Sequence, residues 1–115
     1  MKKIYHLSSC KTCQKIIAEL HNGAGFELQD IKQQTISETE LDWLRERTGS
    51  YESLFSRKAM KFRSMGLHER SLSEADYRQL ILSEYTFLKR PVIVIGDTVF
   101  AGNAKTTIQA AKAML

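Results

Sequence analysis

The chain has 115 residues, with 17 Lys and Arg against 13 Asp and Glu and a formal net charge of +4. This is one domain's worth of residues, enough for a real core and too few for two, so a single domain over residues 1–115 is expected. No apolar run approaches the roughly 20 residues of a membrane-spanning helix, and the cations are spread without a dense block, so neither a membrane nor nucleic acid is a required partner.

The first predicted element is a strand over Lys3-Ile4-Tyr5-His6-Leu7. Behind it, Leu7-Ser8-Ser9-Cys10-Lys11-Thr12-Cys13 holds both cysteines of the chain. A helix from about Lys11 to His21 places Cys10 at its mouth, facing the unpaired N–H groups of the first turn, which favours thiolate. Cys13 joins Ile16, Ile17 and Leu20 in an i, i+3, i+4, i+7 stripe, so it belongs on the buried face. One sulfur is thus exposed and activated while the other sits just inside, the division that thiol–disulfide exchange requires. Strand, CxxC turn and helix in succession is the arrangement of thioredoxin-like proteins. Two other readings compete. Zinc would need four closed ligands, and although His6 could add one, His21 and His68 lack ligand spacing, so no metal is expected. Alternatively, the cysteines are unrelated and one is a small core hydrophobe.

Asn22-Gly23-Ala24-Gly25 ends the helix, and Phe26-Glu27-Leu28-Gln29-Asp30-Ile31 alternates apolar and polar as a half-buried strand. The resulting β-α-β crossover predicts parallel strands. A helical insert follows, spanning about residues 37–86. It holds a capping box at Ser37–Glu40 leading to Leu41 and Leu44, a stop near Gly49, and a short helical piece over Tyr51–Phe55. A helix from about Arg57 to Met65 comes next, then a second box at Ser71–Glu74 leading to Tyr77, Leu80, Ile81 and Tyr85. Their spacing is what burial alone produces. Beyond it, Val92–Ile95 reads as a fully apolar strand, joined through Gly96-Asp97 to Thr98–Ala101 in an antiparallel hairpin. A last helix, entered from Gly102-Asn103-Ala104-Lys105, sets Ile108, Ala111 and Leu115 toward the core. The expected class is α/β: a four-stranded mixed sheet flanked by helices, with the helical insert between strands two and three. Pro91, the one proline, stands at strand entry, where a missing N–H does least harm.

Over nearly its full length the chain resembles the arsenate reductase and Spx family of thioredoxin-like proteins. The resemblance is carried by Ser9-Cys10-Lys11-Thr12-Cys13, Asp30-Ile31-Lys32, Leu54-Phe55-Ser56-Arg57 and Lys89-Arg90-Pro91-Val92-Ile93-Val94. It implies a cis bond before Pro91, a Cys10 that attacks arsenate, and arginines at 57 and 90 that stabilise its thiolate and hold the oxyanion. Planar guanidinium forks suit both tasks. A plain solvated face is the alternative for Arg57, since Lys58, Lys61 and Arg63 lie nearby, and Arg63 competes with it for the role. Ser9, Lys11, Thr12, Pro91 and Lys105 are the expected substrate-binding residues.

Two departures shape the functional reading. Cys13 occupies the position of a second thiol, as in Spx-like members, whereas glutathione-linked arsenate reductases usually carry one nucleophilic cysteine. The family's third arginine, after the last strand, is replaced by Ala101-Gly102-Asn103-Ala104-Lys105, leaving Lys105 or the helix N-terminus for an oxyanion. The expectation is a cytoplasmic thiol–disulfide oxidoreductase whose Cys10 attacks arsenate or a disulfide and whose Cys13 resolves the adduct. No cofactor is bound, and glutathione with glutaredoxin, or thioredoxin, acts as external reductant. The rival reading is a Spx-like redox-sensing regulator that docks on the RNA polymerase alpha subunit.

Overall fold

The computed structural model describes residues 1–115, and the chain divides into two compact units. Met1–Thr35 and Arg90–Leu115 make the first, Ile36–Lys89 the second. No helix is long and apolar enough to cross a membrane.

The first unit is built on a sheet of order β2-β1-β3-β4, with β1 at Lys2–His6, β2 at Glu27–Asp30, β3 at Val92–Ile95 and β4 at Thr98–Ala101. β1 and β2 are parallel, aligning Ile4 with Leu28, while β3 runs antiparallel to both β1 and β4. The crossover and the hairpin are those the sequence predicts. Gly96 turns the hairpin at φ 63°, a positive value that suits glycine at the first position of a two-residue loop.

Two helices, α1 at Lys11–Glu19 and α5 at Lys105–Lys112, bury their apolar stripes against one face of this sheet. Ile16 and Leu20 from the α1 segment and Ile108 and Ala111 from α5 pack with Ile4, Ile93 and Ile95. Leu20 is fully enclosed. Gly23, at φ 79°, closes the turn after α1, where an added Cβ would lie 3.3 Å from Ile17.

Strand β2 departs from expectation. Its alternation is inverted: Leu28 is 46% exposed and Gln29 is 3% exposed. Leu28 lies on an edge strand over the Gly23 turn, and the Gln29 amide is satisfied by donating to the Gln34 carbonyl at 3.0 Å. A buried amide with a partner carries little penalty. Leu115 also differs, since α5 stops at Lys112 and leaves it outside the core at 38% exposed.

The second unit is helical. α2 spans Glu38–Thr48, α3 Met60–Ser64 and α4 Glu74–Ser83. The box at Ser37 and Glu40 forms as predicted, and Gly49 closes α2 in the left-handed conformation. The second box lies elsewhere, between Ser73 and Asp76. Glu74 is drawn away from capping because its carboxylate accepts the Tyr51 and Glu52 N–H groups at 2.7 and 3.1 Å. α3 is shorter than predicted and buries none of its residues. The core of this unit adds an aromatic cluster to its leucines and isoleucines, Phe55 meeting Phe87 in a stack at 5.1 Å and Tyr77 edge-on at 4.9 Å. Outside it, Arg78 bonds Asp42 through two nitrogens at 2.9 and 3.1 Å, joining α4 to α2.

Candidate active site

Cys10 is the N-cap of α1, extended at φ −87° and ψ 114°. Its sequence neighbours explain why the turn holds. The Cys10 N–H donates to the Leu7 carbonyl at 2.9 Å, and Gln14, one turn into the helix, reaches back to donate to the Ser8 carbonyl at 2.6 Å. From the end of β2, the Asp30 carboxylate accepts the Ser8 hydroxyl and the Lys32 N–H, and that bonding holds its pKa below the ordinary carboxylate value, against slight burial. Strand, turn and helix are tied together at the residues that precede the sulfur.

The two thiols are free and unequal: Cys10 is half-buried and Cys13 is buried. Burial opposes ionisation of Cys10, yet its pKa falls below the ordinary thiol value. The Cys13 N–H and thiol, the Thr12 N–H and the charge of Arg90 together outweigh the desolvation. Cys13 shifts the other way, pushed up to about 11 chiefly by burial, with the Cys10 sulfur adding to the rise. A thiolate is the reactive form of a thiol in exchange chemistry, and of these two sulfurs Cys10 ionises first.

Arg90 stands on the strand side of the site, joined to Pro91 by a cis peptide bond. Pro91 is buried, and its carbonyl accepts the Gly102 N–H at 2.9 Å. The structure therefore brings Cys10, Cys13, Thr12 and Arg90 into one electrostatic neighbourhood. Ser9 and Lys11, flanking Cys10, are exposed. Lys105 opens α5 and lines a cleft of about 480 Å³ with Thr12, Lys15, Glu19, Asn103 and Lys112.

Arg57 belongs to the helical unit, where it donates to the Glu52 carboxylate at 2.6 Å and to the Tyr77 hydroxyl at 2.8 Å. These bonds, Glu52 first, raise its pKa, so the guanidinium is charged at any working pH. Arg63 lies in α3 and is exposed. No group of three His, Cys, Asp or Glu side chains converges as a metal site.

Ser8, Gln14 and Asp30 escape a reading of the sequence as site residues. The one available signal is Asp30 two residues before Lys32 at a strand end, the spacing of a side chain that bonds its own backbone. Lys15 and Asn103 carry no signal until α1 and α5 are set side by side.

A four-stranded mixed sheet with flanking helices, and a Cys-x-x-Cys at the first strand-to-helix turn, define a thioredoxin-like protein with a two-cysteine site. The comparisons make this more specific. The sequence matches the ArsC family over residues 5–111, and the chain belongs to that family. It is 31% identical over 103 residues to the uncharacterized protein YusI of Bacillus subtilis strain 168, covering 85% of this chain and 86% of that protein. Among solved structures it is similar to SACOL0876 from Staphylococcus aureus COL, at 29% identity and a TM-score of 0.78 over 96% of this chain and 97% of the other. The fold is also that of an arsenate reductase from Vibrio cholerae, at 18% identity and a TM-score of 0.78 over 96% of this chain and 95% of that one.

Proposed function

We propose that the protein is a thiol–disulfide oxidoreductase in which Cys10 is the nucleophile and Cys13 the resolving thiol. The observation that carries this reading is the opposite displacement of the two thiol pKa values across a single turn of α1. With a disulfide substrate, the Cys10 thiolate attacks one sulfur, forms a mixed disulfide and expels the other sulfur as thiolate. Cys13 then loses its proton and attacks the Cys10 sulfur. The Cys10–Cys13 disulfide forms, the second substrate thiolate leaves, and the substrate has gained two electrons. With arsenate, Cys10 displaces an arsenic-bound oxygen, which leaves as water. Attack of Cys13 on the Cys10 sulfur then breaks the S–As bond, its electron pair staying on arsenic as arsenite departs. Arg90 stabilises the thiolate, Arg57 and Lys105 take up substrate charge, and Ser9, Lys11, Thr12 and Pro91 shape the pocket. An external dithiol, or glutathione with glutaredoxin, resets the pair without a bound cofactor.

The stretch from the end of β4 to the first residue of α5 supplies Asn103 and Lys105 but no guanidinium. That composition favours a disulfide over a tetrahedral oxyanion, which planar forks bind best. It equally supports a second reading, a redox-responsive regulator in which the same disulfide alters a docking surface for the RNA polymerase alpha subunit. The test is to mix the reduced protein with arsenate and, separately, with disulfides, following arsenite and thiols. Turnover with a reductant supports the enzyme. Disulfide formation without turnover, together with capture of the alpha subunit by one redox state only, supports the regulator.

A further inference from the structure

We propose that the cleft between α1 and α5 binds the non-reacting portion of an anionic, carboxylate-bearing disulfide whose sulfur is presented to Cys10. This rests on the disulfide branch of the function proposed above. The cleft begins at Thr12, two residues past the nucleophile, and is lined by positions of matching helical spacing on the two helices. On α1 these are Thr12, Lys15, Ile16 and Glu19; on α5 they start at Lys105 and end at Lys112. Side chains three, four and seven apart share one helical face, so each helix turns a full stripe toward the other.

The far end is closed by Lys112 and Glu19, 3.9 Å apart. Thr12, Asn103 and Lys105 lie at the opposite end, so the helices run parallel and the cleft leads away from the cysteine turn. Its floor is apolar, made by the buried Ile16 and Ile108. Its walls hold three ammonium groups and one carboxylate, and that carboxylate already faces Lys112. Lys15 and Lys105 are left without an acidic partner along its length. A volume of about 480 Å³ suits an extended small molecule. A tetrahedral oxyanion fills only a small part of it. The complementary ligand carries a methylene stem for the isoleucine floor and carboxylates for Lys15 and Lys105.

The redox step is the exchange already written: the disulfide is reduced to two thiols as Cys10 and Cys13 are oxidised to a disulfide. The experiment measures second-order oxidation of the reduced full-length protein by dithiodipropionate, hydroxyethyl disulfide and cystamine, which are anionic, neutral and cationic. The expected order of rates is anionic, neutral, cationic. The preference for dithiodipropionate over hydroxyethyl disulfide falls about tenfold in the Lys15→Gln Lys105→Gln variant, as two lost ion pairs at an open site imply. It returns with arginine at both positions and declines as salt shortens the reach of the charges. A Lys32→Gln Lys58→Gln variant, which lowers net charge equally, keeps the preference. Equal loss in that control, or no loss in the cleft variant, overturns the cleft assignment while leaving the thiol chemistry standing. Failure of all three disulfides to oxidise the pair overturns the disulfide branch of the proposed function and this inference together. Circular dichroism of each variant separates lost binding from lost folding.

Discussion

The Ser8 hydroxyl donates to the Asp30 carboxylate, and this bond fastens the turn carrying Cys10 to the end of β2. Asp30 also receives the Lys32 N–H at 3.0 Å, so one side chain holds both the strand end and the turn. Replacing it frees the Ser8 side of the turn while leaving the Gln14 and Cys10 bonds as the remaining tethers. Asp30→Ala removes both bonds and, at about 0.5–1.5 kcal/mol per hydrogen bond, is expected to cost about 1–3 kcal/mol of stability. By loosening the turn whose Cys13 and Thr12 N–H groups lower the Cys10 pKa, it should also raise the pH at which Cys10 becomes reactive. Urea denaturation and alkylation rates across pH check the two effects, and lost stability with unaltered thiol reactivity would confine Asp30 to a structural role.

Thiol titration supplies the second prediction. Cys10 should alkylate with a midpoint below the ordinary thiol value of 9.0, and Cys13 toward about 11. Burial acts against the Cys10 thiolate, and Arg90 is among the groups that reverse it. Arg90→Gln should therefore move the Cys10 midpoint upward, slowing its reaction at neutral pH. Because the folded value of Cys13 lies above its unfolded one, its contribution to stability is complete below pH 9 and declines as pH rises toward 11. Peptide-resolved mass spectrometry of iodoacetamide adducts reads both midpoints.

Acid sensitivity of the helical unit follows from Asp42. Its hydrogen bonds from Arg78 and then Tyr51, the latter at 2.5 Å, hold the carboxyl at about 2 rather than 3.8. A depressed folded value means that this contribution is present above pH 3.8 and is lost as pH falls through about 2. Asp42→Asn should lower stability at neutral pH and flatten its decline in acid. Thermal melts between pH 2 and pH 7 test it, and an unchanged slope would remove Asp42 as its source.

Arg57 is engaged by Glu52 and Tyr77, which leaves a structural and a chemical role to be separated. If it takes up charge in the reaction, Arg57→Ala should slow oxidation of the cysteine pair by arsenate about 10²-fold, comparable to losing one preorganised donor. Glu52→Gln, which weakens the same local pair, should leave that rate within a fewfold. Equal losses from the two variants would assign Arg57 to the scaffold.

The elements that the sequence made legible are those whose signal is local. Cys13 falls in the stripe of Ile16 and Leu20, Gly96 suits a tight turn, and Ser37 with Glu40 spells a capping box. The misread elements depend on contacts distant in sequence or on alternatives of equal local merit. Ser71 with Glu74 and Ser73 with Asp76 both fit a box, and the Tyr51 and Glu52 amides decide between them by occupying Glu74. Gln29 is buried because the Gln34 carbonyl receives it, which no alternation pattern encodes. For the site, the cysteines and Arg90 were readable from motif and proline. Asp30 and Lys15 were not, since their significance arises only when β2 meets the cysteine turn and α1 meets α5.

The most direct test of the division of labour between the two thiols uses Cys13→Ser and Cys10→Ser, each reduced and mixed with hydroxyethyl disulfide at neutral pH. The first variant should hold a stable mixed disulfide on Cys10 and the second negligible adduct, with the unaltered protein passing on to the Cys10–Cys13 disulfide. Comparable adduct formation on Cys13 in the Cys10→Ser variant, or none on Cys10 in the other, would contradict the assignment of nucleophile and resolving thiol.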